Sequence, residues 1–215
     1  MRDRVQLMER REVDELIILD IAATPNNRGP RFEEVEQLCE NLFMPVTIGG
    51  GVRNIADVRR LLASGADKVA ICTAAVESQT LISDAAMKFG SQAVVVSIDA
   101  NNYGQVKIRC GSKDAGFTAV ALALESERRG AGEILLNSID RDGTLEGYDL
   151  DLIREVTAAV DIPVIACGGC GSYEHIAQAI QAGAHAAAVG AMFQFTEHTP
   201  RGASRWLNDH GIPAR

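Results

Sequence analysis

Residues 45–65 and 163–183 of this 215-residue chain repeat one another at a constant offset of 118, without a gap. Pro45-Val46-Thr47-Ile48-Gly49-Gly50-Gly51 returns as Pro163-Val164-Ile165-Ala166-Cys167-Gly168-Gly169. Each copy is an apolar run that reads as a buried strand, then a glycine turn, then a helix start at Asn54 or Ser172. Each reaches Gly-Ala, at Gly65-Ala66 and Gly183-Ala184, before a second apolar run, Val69 to Cys72 or Ala186 to Val189. A gapless repeat of strand, turn, helix and strand marks a duplicated β/α unit.

The glycines carry a chemical expectation. Without Cβ the backbone can turn sharply and approach a ligand closely. Free N–H groups beside a helix start suit a phosphate. The plainer reading is a tight βα turn with no ligand. Two clusters at equivalent positions favour phosphate binding.

The rest of the chain supplies the remaining units. Arg2 to Asp14 reads as the C-terminal half of a helix, and Leu16 to Ile21 as a strand ending near the acid Asp20. Phe32 to Leu42 has helical spacing, as do Leu81 to Phe89, Val120 to Arg129, Leu150 to Val160 and Pro200 to Asn208. Lys68 to Cys72, Ala93 to Asp99 and Glu133 to Asn137 are strands, and residues around Val106-Lys107-Ile108 suggest a small hairpin. Seven strands alternate with helices over one domain, residues 1–215, built from two half-barrel repeats. The expected class is α/β, of (β/α)₈ TIM-barrel type.

In an eight-strand numbering, residue 45 starts strand three and residue 163 strand seven, on opposite sides of the mouth. Two facing phosphate sites imply a substrate with a phosphate at each end. Asp99 ends an otherwise buried strand at the C-terminal face, where proton-transfer groups sit, and is the expected catalytic acid. Asp20 and Asp140 read equally as structural caps or as functional acids. The repeat mate of Asp99 falls before Met1, on a first strand that would close the ring. The chain is therefore expected to be an N-terminally truncated barrel with seven of eight strands.

Composition narrows the partners. A net charge of −8 with no basic run argues against nucleic acid. No apolar segment is long enough for a membrane span. Cys39, Cys72, Cys110, Cys167 and Cys170 show no zinc-site spacing, so reduced thiols in the cytoplasm, no metal and no cofactor are expected.

Longer motifs add a resemblance. Leu19-Asp20-Ile21, Gly49-Gly50-Gly51, Gly65-Ala66-Asp67-Lys68-Val69, Phe89-Gly90-Ser91-Gln92, Gly130 to Leu136 and Ser138 to Thr144 form an ordered set covering the chain. It resembles the cyclase subunit of imidazole glycerol phosphate synthase. The resemblance implies an ammonia-dependent lyase and cyclase of histidine biosynthesis. Its substrate would be a bisphosphorylated phosphoribulosyl-formimino aminoimidazole carboxamide ribotide. It assigns acid–base work to Asp99, one phosphate to Gly50, Gly51 and Thr73, and the other to Asp142, Gly143, Gly169 and Gly190. Glu15, Lys68 and Glu133 match an ammonia gate at the opposite face, and Asp67 a residue facing a glutaminase subunit. A heterodimer with that glutamine amidotransferase is implied. Cys72, Asn137, Cys167 and Ala191 depart from the family pattern. Two other readings are a paralogue working with an amidotransferase in surface-polysaccharide sugar amidation, and a non-catalytic glutaminase-binding scaffold.

Overall fold

The structure is a computed structural model and describes residues 8, 10–40 and 42–214. Met8 and Arg10 are helical, and most of the expected helix from Arg2 lies outside the described residues. Nine strands form one sheet. Seven run parallel: β1 (Leu16–Leu19), β2 (Val46–Gly49), β3 (Lys68–Ile71), β4 (Val94–Ala100), β7 (Glu133–Ser138), β8 (Val164–Cys167) and β9 (Ala186–Ala187), in that spatial order. The other two, β5 (Gln105–Ile108) and β6 (Lys113–Thr118), form an antiparallel hairpin on the end of β4.

Helices cross between the strands: α1 (Phe32–Cys39), α2 (Ile55–Ala63), α3 (Thr73–Glu77), α4 (Leu81–Phe89), α5 (Ala119–Arg128), α6 (Leu150–Thr157), α7 (Tyr173–Gln181), α8 (Ala191–Phe195) and α9 (Pro200–Asp209). The alternation of parallel strands and helices is a (β/α)₈ TIM-barrel-like fold.

The repeat survives in atomic detail. The bounds of β2, α2 and α3 are those of β8, α7 and α8 shifted by 118. Asn54 Oδ1 caps α2 by accepting from the amides of Ala56 and Asp57, at 2.9 and 3.0 Å. Ser172 caps α7 through the amide of His175. The helices stop before Gly65 and Gly183, at φ +102° and +106°. The start of each second strand also ties back to the first. Asp67 Oδ2 accepts from the Val46 amide at 2.8 Å, and His185 Nδ1 from the Val164 amide at 3.3 Å.

Side-chain alternation sorts each strand. On β4, Val94, Val96 and Ile98 pack toward the helices. Val95 turns inward to join Ala70 and Leu135. Four sequence expectations need correction. α1 stops at Cys39, short of Leu42. β1 ends at Leu19 rather than Ile21, because residues 21–27 turn away. The expected strand to Val189 shortens to two residues, since Ala186 to Ala188 offer little β-branched surface to pack. α6 stops at Thr157, short of Val160.

Among the described residues the sheet does not close, and β1 and β9 are its two ends. A cavity of about 740 Å³ lies between them, lined by Ile17, Leu19, Leu135, Ile165 and Ala186. Arg11 and Glu12 span it at one end, donating from Arg11 Nη1 to Phe193 O (3.0 Å) and accepting from Arg201 Nε (2.9 Å). By the repeat, this interval is equivalent to the one between β3 and β7, which β4 fills. No helix of the described residues is long and apolar enough to cross a membrane.

Candidate active site at the mouth of the sheet

Two residues beyond Val95 on the same face of β4 comes Ser97, and two beyond that Asp99. The strand thereby carries one carboxylate to the C-terminal mouth on its inner side. Asp99 Oδ1 accepts from Asn137 Nδ2 at 3.1 Å, across the register pair between β4 and β7. Oδ2 accepts a weak bond from Cys72 Sγ at 3.7 Å. Burial pushes the Asp99 carboxyl above the usual carboxylate range, the two donors pull against it, and the charge of Asp142 adds to the rise. Cys72, one of the positions that depart from the family pattern, is thus a donor to the central acid. Burial and the Asp99 charge push its thiol up. Burial, with Asp142 and then Asp99, pushes Cys167 up to about 12. Both sulfurs are therefore neutral near pH 7, and neither is activated as a nucleophile.

The glycine turns flank this carboxylate from opposite sides. Gly50 and Gly51 adopt φ +103° and +72°, and Gly168 and Gly169 adopt +91° and +101°. The loop after the preceding strand packs directly on each turn. A Cβ at Gly50 would stand 2.4 Å from Asp20 O, and one at Gly168 2.5 Å from Ser138 O. Glycine is therefore required by packing at both turns, as the plainer reading holds. The amides of Gly50, Gly51, Gly168 and Gly169 donate to nothing among the described residues, so the turns also keep the donors that the phosphate reading needs.

The remaining phosphate candidates are placed unequally. Thr73 begins α3 beside the first turn, and its Oγ1 accepts from the Arg109 amide at 3.1 Å. Its repeat mate Ala191 has no hydroxyl. Gly190 precedes α8 in open space. Gly143 lies in the loop after β7 at φ +78°, also in open space. The Asp142 amide is taken by Ser138 O at 3.0 Å, and its carboxylate would repel a phosphate. The second site therefore rests on backbone amides rather than on Asp142.

The two acids with open readings resolve toward structure. Asp20 is paired with Arg28 at 2.6 Å, and that hydrogen bond holds its carboxyl below the usual range. Asp140 Oδ2 accepts from the Asn102 amide at 2.8 Å, pinning the start of the hairpin.

At the opposite end of the strands, Lys68 Nζ donates to Glu133 Oε1 at 2.6 Å and to Glu15 Oε2 at 2.9 Å. Glu133 Oε2 is buried without a partner among the described residues. Two carboxylates thus share one ammonium. Burial acts to lower the Lys68 pKa, but hydrogen bonds and charge from the two glutamates raise it on balance. That stabilisation is present below the ordinary lysine value of 10.5 and is lost as pH rises through the higher folded value. Replacing Lys68 with methionine is expected to cost about 2 kcal/mol at pH 7, because the two carboxylates lose the cation they share. A urea midpoint unchanged by the substitution would show the cluster to be energetically idle. Asp67 is exposed on the same face, with its carboxylate committed to the Val46 amide.

Sequence reasoning missed Arg28, the Cys72–Asp99 contact and the Arg109 amide on Thr73. For Arg28 a signal existed, an arginine eight residues after a strand-end acid. The other two join residues 27 and 36 apart and had none.

A family model described as histidine biosynthesis protein matches residues 2–199. The match takes in both glycine turns, Asp99 between them and the charged cluster at the far face. The chain belongs to the histidine biosynthesis protein family of TIM-barrel-type enzymes.

Proposed function

We propose that this chain is the ammonia-dependent cyclase and lyase of imidazole glycerol phosphate synthase. It would act on the ribotide with a phosphate at each end. The observation that carries the reading is the placement of two equivalent glycine turns, each with unengaged amides, on either side of one half-buried carboxylate. A bisphosphorylated substrate would lie across the mouth, each phosphate on one turn, with its reacting carbons over Asp99. With its raised pKa, Asp99 can give a proton to a leaving group or take one from an adding amine.

The glutaminase subunit is proposed as the partner at the opposite face, around Glu15, Lys68, Glu133 and Asp67, with ammonia passing between the strands. The test is ammonia-driven turnover of the ribotide by the purified chain, with inorganic phosphate as competitor. Product formation inhibited by phosphate supports the reading. Absence of turnover both alone and with a peptide of β4-like sequence added to fill the interval between β9 and β1 would overturn it.

A further inference from the structure

We infer that the β5–β6 hairpin is a hinged cover over the first half of the mouth, latched by the ion pairs that Glu77 makes with Arg109 and Lys113. The inference rests on the mouth being the ligand site, and its latch can be tested without any ligand. The hairpin has two unlike ends. Along β5, Val106 and Ile108 are buried, each 1% exposed, and at the base the Ala119 amide that follows β6 donates to Gly104 O at 2.8 Å. Beyond Ile108 the turn itself is attached by polar groups. Arg109 Nε and Nη2 donate to the two carboxylate oxygens of Glu77, at 3.0 and 3.1 Å. Lys113 Nζ reaches Glu77 Oε1 at 3.4 Å. The Arg109 amide donates to Thr73 Oγ1, and Cys110 Sγ to Ile21 O at 3.1 Å.

These anchors lie on α3 and in the loop after β1. The tip therefore runs from the end of β3 to the end of β1, across the glycine turn that follows β2. It engages the one side-chain hydroxyl among the candidate phosphate residues there. Among the described residues the Gly168-Gly169 turn carries no equivalent hairpin, because the hairpin grows from β4, whose mate is not among the described strands. Among the described residues only the first end of the mouth carries such a latch.

The tip is also built to let go. Arg109 and Cys110 hold positive φ, +55° and +56°, a conformation disfavoured for side chains other than glycine. The ion pairs are half exposed, a setting in which such pairs hold weakly and are screened by salt. Gly104, just before β5, and Gly116, within β6, hold positive φ and can absorb rotation. A strained turn held by solvent-facing charges can open beyond the buried Ile108 without disturbing the sheet.

The test is backbone hydrogen exchange on the full chain, comparing wild type, Glu77→Gln and Thr73→Ala. Glu77→Gln is expected to speed exchange of residues 105–118 at least five-fold, with β4 and β7 unchanged. Raising salt should move wild type toward the variant. Trypsin cleavage after Arg109 and Lys113 should accelerate in parallel. Exchange in the hairpin unchanged by Glu77→Gln and by salt would overturn the latch. So would acceleration spread equally over the sheet. If the chain proves to have no activity on the ribotide, the exchange result still decides whether the latch exists.

Discussion

Asp99→Asn is expected to lower ammonia-driven turnover by about 10³-fold or more, the upper part of the range for loss of a positioned acid or base. Substrate binding should change only a few fold, because the glycine-turn amides do not involve this side chain. The same substitution is expected to stabilise the fold at pH 7. Burial raises the Asp99 pKa, so the folded state binds its proton more tightly than the unfolded chain does. Stability linked to this group is therefore greatest below the ordinary value of 3.8 and is lost as pH rises through the folded value. Asparagine keeps a polar group between Cys72 and Asn137 without a charge to bury. The melting-temperature gain of the variant should be largest near neutrality and shrink toward pH 4. Retention of wild-type turnover would remove Asp99 from the chemistry. A variant less stable than wild type at pH 7 would mean that its two hydrogen bonds outweigh the burial cost.

Gly169→Ala is expected to destabilise the chain by about 4 kcal/mol, whereas Gly143→Ala should cost about 1 kcal/mol. Both glycines have positive φ, +101° and +78°. They differ in what a methyl group meets. At Gly169 the new carbon would stand 2.2 Å from Gly147 O and 3.1 Å from Arg141 Cβ. The Gly147 amide also donates to Gly169 O at 2.7 Å, so the two loops cannot part without losing that bond. At Gly143 nothing lies within 4 Å, and only the backbone preference of alanine counts. In a chain of this size the first cost is a drop of roughly 8–16 °C in melting temperature. Calorimetry that finds both variants within about 2 °C of wild type would refute the packing argument. The pair also separates fold from ligand, since Gly143→Ala leaves the turn intact and any loss of phosphate binding then reports on the site.

Much of this was legible from short stretches. The β-branched run before Asp99 became the central strand, and the two glycine turns became equivalent turns. Leu81 to Phe89 became a helix with those bounds. What escaped was either too short or too distant. α3 and α8 span five residues each, less than two helical turns, so no periodicity could announce them. Asp20 and Asp99 look alike in sequence, each near the end of an apolar strand. Arg28 neutralises one, while the other is walled in by strands β3 and β7.

Local sequence was enough to specify the alternation of strand and helix, the 118-residue equivalence of the two halves and the acid at the inner end of β4. These depend on burial pattern and backbone preference, which act over a few residues and are written locally. Only the packing of distant strands settles which acid has no ion-pair partner among the described residues, which sulfur donates to it, and that the hairpin turn reaches Thr73. Those facts depend on which strands become neighbours when the sheet curls. Residues 27 to 38 positions apart then come within hydrogen-bonding distance, and no local preference encodes such a meeting.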